Sequence, residues 1–125
     1  MTSESLCFRV GDFSCVVLPD LINRAMEDDI TSMFTYDTER TRALSVPYIT
    51  FCQNILVVET GDQRVLIDSG VGQADPDDPG HLLDRLRAEN ITPKSIDTVV
   101  ISHYHLDHIG QLVDHTGNPT FPKPR

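Results

Sequence analysis

The sequence is short of the residues that hold small secreted proteins together. It has no tryptophan, and only three of its 125 residues are cysteines. Cys7, Cys15 and Cys52 are widely spaced, odd in number, and form no Cys-x-x-Cys pair. We therefore expect free, partly buried thiols in a reducing cytoplasm, rather than a framework of disulfides.

Long apolar runs are also missing. No stretch approaches the roughly 20 residues that span a bilayer as a helix. The first residues, Met-Thr-Ser-Glu-Ser-Leu-Cys, have neither the basic nor the apolar region of a signal peptide. The sequence thus predicts no membrane partner and a cytoplasmic location.

Basic residues are scarce, with 10 Lys and Arg against 19 Asp and Glu, for a net charge of −9. Binding to nucleic acid phosphates needs Lys and Arg patches, so we expect no nucleic acid partner.

The hydrophobic fraction of 39% can support a modest core. At this length we expect one domain at most.

Apolar alternation in residues 6–10 and 13–17 predicts two strands, with Gly11-Asp12 as a two-residue hairpin loop. The segment Leu18-Pro19-Asp20 is expected to break the second strand. Beyond it, apolar residues at roughly helical spacing favour an amphipathic helix packed on the sheet: Met26, Ile30, Met33 and Phe34. The alternative is a mobile cover over an apolar substrate pocket, lined by Met33, Phe34 and Tyr36.

The middle of the chain predicts a strand, a turn, a strand, a helix and a strand. Residues 55–58 are a continuous apolar run, typical of a strand buried on both faces, and residues 65–67 return after Gly61-Asp62. Asp78-Pro79 is expected to start a helix that ends near Asn90 and Pro93. Residues 96–101 then form the next strand, so the helix can make a crossover connection outside the sheet.

A dense cluster of metal-binding side chains follows that strand. The segment Ser102–Gly110 reads Ser-His-Tyr-His-Leu-Asp-His-Ile-Gly, so His103, His105, Asp107 and His108 fall within six residues. Three imidazoles and a carboxylate suit one or two borderline-soft cations, zinc first. A solvated turn with capping histidines is the alternative. The strand before the cluster and the apolar segment after it, expected to be a short helix over 109–113, favour the metal site.

Backbone geometry then divides the four side chains. If residues 103–105 are extended, His103 and His105 share a face and can bind one metal, while Tyr104 and Leu106 point the other way, into packing. If the chain becomes helical near Asp107, the remaining pair can hold a second metal. Two metals about 3.5–4 Å apart can polarise a carbonyl or phosphoryl oxygen and activate a water between them.

The sequence resembles the metallo-β-lactamase-fold hydrolases, on Ser102–Gly110 and on Leu66-Ile67-Asp68-Ser69-Gly70 upstream. The resemblance extends from about residue 54 to residue 122. The segments 91–100 and 117–122 look most like the lactonase and organophosphate-hydrolase branch.

The resemblance implies an α/β (α+β) fold, the N-terminal half of an αββα sandwich, with residues 1–125 as a partial domain. It implies two zinc ions, one held by His103 and His105 and the other by Asp107 and His108. It suggests that Asp107 passes a proton to the leaving group and that Asp68 braces the metal loop through hydrogen bonds; a turn aspartate is the alternative for Asp68. The implied partner is a small-molecule substrate, a lactone, an ester or an organophosphate, and a homodimer stays open.

A complete domain of that family is much longer, and it supplies a third His, a bridging Asp and another His from later in the chain. His115 lies too close to the motif to be the distant ligand, so we predict an enzyme fragment. Two alternatives are a truncated, non-catalytic product that binds metal weakly or not at all, and a di-iron redox protein of the same fold. Having His105 instead of a carboxylate at the second ligand position favours zinc hydrolysis over iron redox chemistry.

Overall fold

The computed structural model describes residues 4–26, 39, 48–74 and 76–122. Their strands form one five-stranded sheet in the order β1-β2-β3-β4-β5. The elements are β1 (Leu6–Val10), β2 (Phe13–Met26), β3 (Tyr48–Glu59), β4 (Arg64–Ile67), α1 (Leu82–Ala88), a 3-10 turn (Pro93–Ser95), β5 (Thr98–Val100) and α2 (Leu106–Ile109). This is the mixed α/β architecture that the sequence predicts. No helix in the described part of the chain is long and apolar enough to cross a membrane.

The chain divides into two compact units, Met1–Leu21 with Gln53–Arg125, and Ile22–Cys52. The first unit contains the core and every candidate site residue. Of the second unit, the structure describes the far end of β2, the near end of β3, and residue 39.

The predicted N-terminal hairpin is confirmed. β1 and β2 pair antiparallel with Val10 opposite Phe13, and Gly11 turns the chain with a φ of 58°. The predicted break at Leu18-Pro19-Asp20 is wrong, because β2 continues to Met26. The ladder with β1 ends at Val17, so Pro19 lies beyond it and removes no donor from that pairing.

Met26 therefore ends a strand and does not belong to the predicted helix. The other residues of that prediction, and those of the alternative cover, lie outside the described residues: Ile30, Met33, Phe34 and Tyr36.

β4 pairs antiparallel with β3 and parallel with β5, and α1 lies in the connection between the parallel pair, as predicted. In β3, Ile55 and Val57 are buried, whereas Leu56 and Val58 are only half-buried. Burial on both faces is thus wrong for β3: its buried side chains share one cluster with Leu82 and Leu86 of α1, and alternate residues point away from that cluster.

α1 ends as the sequence predicts but begins later. Asn90 takes a left-handed φ of 59°, and the N–H groups of Asn90 and Ile91 donate to the carbonyls of Arg87 and Leu86 at 3.0 and 2.8 Å. This is a Schellman ending, with asparagine in the place that glycine usually takes. The predicted start at Asp78 is wrong, because the first helical residue is Leu82.

The N-terminus of α1 is capped from a distant strand. Asp20 on β2 is 1% exposed, and its Oδ1 accepts a hydrogen bond from the Leu82 N–H at 2.7 Å. Its Oδ2 accepts from the Val71 N–H at 2.8 Å. A buried carboxylate near a helix N-terminus is favoured by the positive end of the helix dipole. Asp20 therefore joins β2, α1 and the loop after β4.

The end of the described chain differs from the predicted helix over 109–113. The short helix lies at Leu106–Ile109, one turn earlier than the predicted 109–113. Thr120-Phe121 forms no strand; an isolated bridge pairs Val113 with Pro119, and Phe121 is 1% exposed in the core cluster. Burial of this aromatic ring, rather than sheet pairing, anchors the segment.

Asp114 organises the turn before that anchor. Its Oδ1 accepts from the Thr116 hydroxyl at 2.6 Å, the Thr116 N–H at 2.8 Å and the Asn118 N–H at 3.0 Å. The Thr116 hydroxyl first, and then the backbone N–H groups, hold the pKa of Asp114 below its ordinary 3.8.

The pKa of Asp114 is lower in the folded protein than in the unfolded chain. The ionised carboxylate therefore stabilises the turn at pH values above the pKa of the unfolded chain, and this stabilisation is lost as the pH falls through the pKa of the folded protein. In an NMR titration, we expect the Thr116 and Asn118 amide shifts to move with a midpoint below pH 3.8. Asp114→Asn should abolish that titration. A midpoint at or above 3.8 would contradict the turn geometry.

Candidate metal centre

Two neighbouring strands deliver the candidate side chains to one edge of the sheet. β4 and β5 run parallel with Ile67 opposite Val100, so the residues that follow each strand leave side by side. The Asp68 N–H donates to the Val100 carbonyl at 2.8 Å and extends this pairing by one residue. Asp68 has a positive φ of 64°, a conformation that non-glycine residues rarely take. The strand therefore ends sharply and turns its carboxylate toward the motif.

Asp68 is the centre of a hydrogen-bond network within the motif. Its Oδ1 accepts from the Ser102 N–H at 2.7 Å, and its Oδ2 accepts from the Ser102 hydroxyl and from His108 Nδ1, both at 2.8 Å. Burial by itself would raise the pKa of Asp68. The hydrogen bonds from Ser102 and His108 outweigh burial and hold that pKa below its ordinary value. Asp68 is 8% exposed and lies where a group that orients the histidines would lie.

The network also decides which ring nitrogens carry protons. A carboxylate only accepts, so Ser102 gives its single hydroxyl proton to Asp68, and His108 must donate from Nδ1. The Ser102 oxygen is then the acceptor for His103 Nδ1, 3.0 Å away. A neutral imidazole carries only one N–H, so Nε2 of both His103 and His108 carries a lone pair, and that of His103 accepts a hydrogen bond from His105 Nδ1 at 2.9 Å. This is the tautomer that a metal ligand needs when it binds through Nε2.

The four candidate ligands form two pairs. His103 Nε2 faces His105 Nδ1 at 2.9 Å, and His108 Nε2 faces Asp107 Oδ2 at 3.4 Å. The rings of His103 and His108 lie together, with centroids 3.9 Å apart. Two ligands that each lie about 2.0–2.1 Å from one tetrahedral ion are separated by about 3.4 Å, so the second pair has the spacing of a zinc site.

The first pair is closer, at the distance of a direct hydrogen bond. Among the described residues, no group of three or more His, Cys, Asp or Glu side chains could hold one metal ion. The residue types fit zinc, and an ion bound by the first pair would replace the proton shared by His103 Nε2 and His105 Nδ1. Each pair supplies two of the three or four protein ligands that zinc sites use.

The predicted change to a helix near Asp107 is confirmed. His105 is extended, with φ −66° and ψ 148°, and the chain becomes helical at Leu106. The prediction that Tyr104 and Leu106 turn into packing is wrong, because they are 85% and 67% exposed. The alternation rule holds within a sheet, whereas β5 ends at Val100 and leaves these residues in a loop beyond its ladder.

Glycines let the loop after β4 pack directly against α2. The Ser69 N–H donates to the His108 carbonyl and the Gly110 N–H donates to the Gly70 carbonyl, both at 2.8 Å. A Cβ on Gly110 would lie well inside 3.0 Å of the Val71 backbone, and a Cβ on Gly72 would meet Gly110 in the same way. Close backbone contact therefore fixes the helical turn that carries Asp107 and His108.

Two residues near the centre were not predicted from sequence. Gln53 Nε2 donates to Asp107 Oδ2 at 3.2 Å from a position 54 residues away. Asp20 supports the loop through Val71, 51 residues away. In sequence, Asp20 resembles a turn residue after proline, and Gln53 is an ordinary polar residue before an apolar run.

His81 and His115 are exposed, and among the described residues neither belongs to the histidine cluster.

The chain is similar to known proteins in sequence and in fold. A family model described as the metallo-beta-lactamase superfamily matches residues 51–121. Among curated proteins, an atrochrysone carboxyl ACP thioesterase from Passalora fulva is 41% identical over 61 residues, 49% of this chain and 17% of the relative. The transcription termination factor FttA from Methanothermobacter thermautotrophicus is 40% identical over 60 residues, 48% of this chain and 9% of the relative.

Solved structures share the fold over nearly the whole chain. AidC, a dizinc quorum-quenching lactonase in complex with the product N-hexnoyl-L-homoserine, superimposes with a TM-score of 0.76 at 23% identity, covering 96% of this chain and 42% of AidC. The hydrolase AbOPH of the beta lactamase superfamily superimposes with a TM-score of 0.84 at 21% identity, covering 99% of this chain and 44% of AbOPH. A probable metal-dependent hydrolase from Staphylococcus aureus superimposes with a TM-score of 0.70 at 23% identity, covering 91% of this chain and 46% of that hydrolase.

The chain thus spans less than half the length of these solved structures, and a smaller share of the two curated relatives. At these identities the structural matches show the fold. The family match covers most of β3, all of β4 and β5, the Asp68 turn and the whole motif. The chain belongs to the metallo-beta-lactamase superfamily.

Proposed function

We propose that the full-length protein carrying this chain is a zinc-dependent hydrolase of a small-molecule ester, lactone or phosphoester. The observation that supports this most strongly is the Asp68 network, which leaves Nε2 of His103 and His108 without a proton. A solvated turn with capping histidines would not need a buried carboxylate to set two tautomers. The family's hydrolytic character and the dizinc neighbour are consistent with metal use.

In this proposal, His103 and His105 hold one ion, and Asp107 and His108 hold the other. Further ligands would come from outside the described residues, because each pair falls short of a complete zinc site. Zinc bound there would act as a Lewis acid that polarises a carbonyl or phosphoryl oxygen and makes water more acidic. Asp68 and Ser102 keep the rings oriented while the substrate is converted.

Asp107 has a second proposed role. Its side chain is 37% exposed, more than the 28% of His108, so a substrate can reach it. We propose that its carboxylate takes a proton from the attacking water and passes it to the leaving group. The Gln53 amide donates to Oδ2, so that this oxygen is held in place while the other oxygen carries the proton.

The relatives favour acyl substrates. Two of them are a lactonase and a carboxyl ACP thioesterase, both of which act on acyl groups. A third is a transcription termination factor, but the net charge of −9 opposes binding of a polyanion by this part of the protein. We therefore propose lactones and carboxylic esters as the first substrates to test, and phosphotriesters as the second.

The test compares His105→Ala with His115→Ala in the full-length protein, made metal-free and then titrated with zinc. His115 is an exposed histidine outside the cluster, so His115→Ala should behave as wild type. Removing a ligand should cost more than the roughly 10–100-fold that removing a ligand's hydrogen-bond partner costs. We therefore expect His105→Ala to lose zinc and at least about 100-fold in lactone hydrolysis.

Unchanged zinc content and activity in His105→Ala would refute the site. The two other interpretations have their own signatures. A non-catalytic product would contain well below one zinc per molecule and hydrolyse none of the substrates. A di-iron redox protein would take up iron in preference to zinc when expressed with both metals available.

A further inference from the structure

We propose that Gln53 is a positioning residue that orients the Asp107 carboxylate for metal binding, an inference that rests on the function proposed above. Gln53 lies on β3 and Asp107 lies in the first turn of α2. The Gln53 Nε2 group donates to Asp107 Oδ2 at 3.2 Å. Because a carboxylate has no proton to give, the amide must present its nitrogen to this oxygen.

The position of Gln53 in the strand makes a polar side chain costly. Residues two apart on a strand share a face, so Gln53 lies on the same face as Ile55 and Val57, which are 2% and 0% exposed. The other end of its amide, Oε1, is buried without a hydrogen-bond partner among the described residues. A buried acceptor without a donor destabilises the fold, and an apolar side chain would avoid that cost. The compensation visible in the structure is the bond to Asp107.

That bond acts on the oxygen that faces the neighbouring ligand. Asp107 Oδ2 is the atom 3.4 Å from His108 Nε2, so the amide holds the carboxylate in the rotamer that pairs it with His108. α2 has only four residues, and Leu106 beside Asp107 is exposed, so local packing does little to fix this side chain. A hydrogen bond from the more rigid sheet can supply that restraint.

Gln53→Met separates positioning from simple packing. Methionine has a similar size and flexibility, removes the donor, and removes the unpartnered Oε1. Gln63→Met, in the exposed turn between β3 and β4, is the matched control. The measurement is zinc affinity of both sites in the full-length protein, by competition with a chromophoric chelator, together with the thermal unfolding midpoint of the metal-free protein.

We expect Gln53→Met to weaken one of the two zinc sites by about 10–100-fold, the usual cost of removing a hydrogen-bond partner of a ligand. The other site should keep its affinity, and the unfolding midpoint should not fall. Gln63→Met should match wild type in all three quantities. In an Asp107→Asn background, Gln53→Met should cause no further loss, because the residue through which Gln53 acts is already altered.

Wild-type affinity at both sites in Gln53→Met would overturn the positioning role and leave the proposed function standing. Equal losses at both sites with a lowered midpoint would also overturn it, because they would mean that Gln53 only supports the fold. Failure of the wild-type protein to bind zinc would overturn the proposed function, and this inference with it.

Discussion

Asp20→Ala is expected to destabilise the full-length protein by about 2–6 kcal/mol, because two buried N–H groups lose their acceptor and each costs about 1–3 kcal/mol. Those groups belong to Val71 and Leu82, which are 8% and 1% exposed. The helix α1 also loses the negative charge at its N-terminus. Few single substitutions outside the metal centre should have so large an effect.

Asp20→Asn should fall between wild type and Asp20→Ala, because an amide keeps one acceptor but turns a donor toward the second N–H. Asp62→Ala, at an exposed turn, is the control for loss of a carboxylate in general. Urea unfolding followed by circular dichroism would rank the variants. Equal midpoints for Asp20→Ala and Asp62→Ala would show that the buried carboxylate does not join the three elements.

Gly110→Ala is expected to cost about 3 kcal/mol or more and to impair zinc binding, since overpacking against a rigid group has no inexpensive relief. The added Cβ would collide with the Val71 carbonyl, a backbone group that cannot rotate away. To relieve this contact, the chain must separate at the hydrogen bond from Gly110 to Gly70. α2 would move with it and displace Asp107 and His108.

Gly117→Ala is a demanding control for this prediction. Gly117 has a φ of 85°, so alanine there is strained, but nothing lies within 4 Å of the added Cβ. We expect a loss of about 1–2 kcal/mol from the left-handed backbone alone, with unchanged zinc affinity. If Gly110→Ala resembled Gly117→Ala in both stability and zinc affinity, close packing of the loop against α2 would not be what holds the metal ligands.

Local pattern was sufficient for the features that depend on neighbouring residues. Alternating apolar residues predicted the hairpin, and the apolar runs predicted β3, β4 and β5. The motif His103–His108 follows β5 closely enough that its division into an extended and a helical part could be predicted from spacing. The resemblance to the family predicted Asp68 as a support, and the structure places it against Ser102 and His108.

The features that sequence reasoning missed depend on contacts between distant residues. Asp20 follows proline, and this local signal usually marks a turn, yet its partners are backbone N–H groups 51 and 62 residues away. A side chain that caps a helix from another strand has no short-range signature, so the start of α1 was misplaced at Asp78. Gln53 was missed for the same reason, since its partner Asp107 lies 54 residues away.

The most direct test of the central claim is a crystal structure of the zinc-loaded full-length protein, with anomalous diffraction recorded on both sides of the zinc edge. We predict one zinc bound by Nε2 of His103 and by Nδ1 of His105, whose proton the ion replaces, and a second bound by Asp107 and by Nε2 of His108. In that structure, Asp68 should still accept from Ser102 and from Nδ1 of His108. Anomalous density located away from these four side chains, with the His103–His105 hydrogen bond intact, would contradict the claim that this motif is a metal centre.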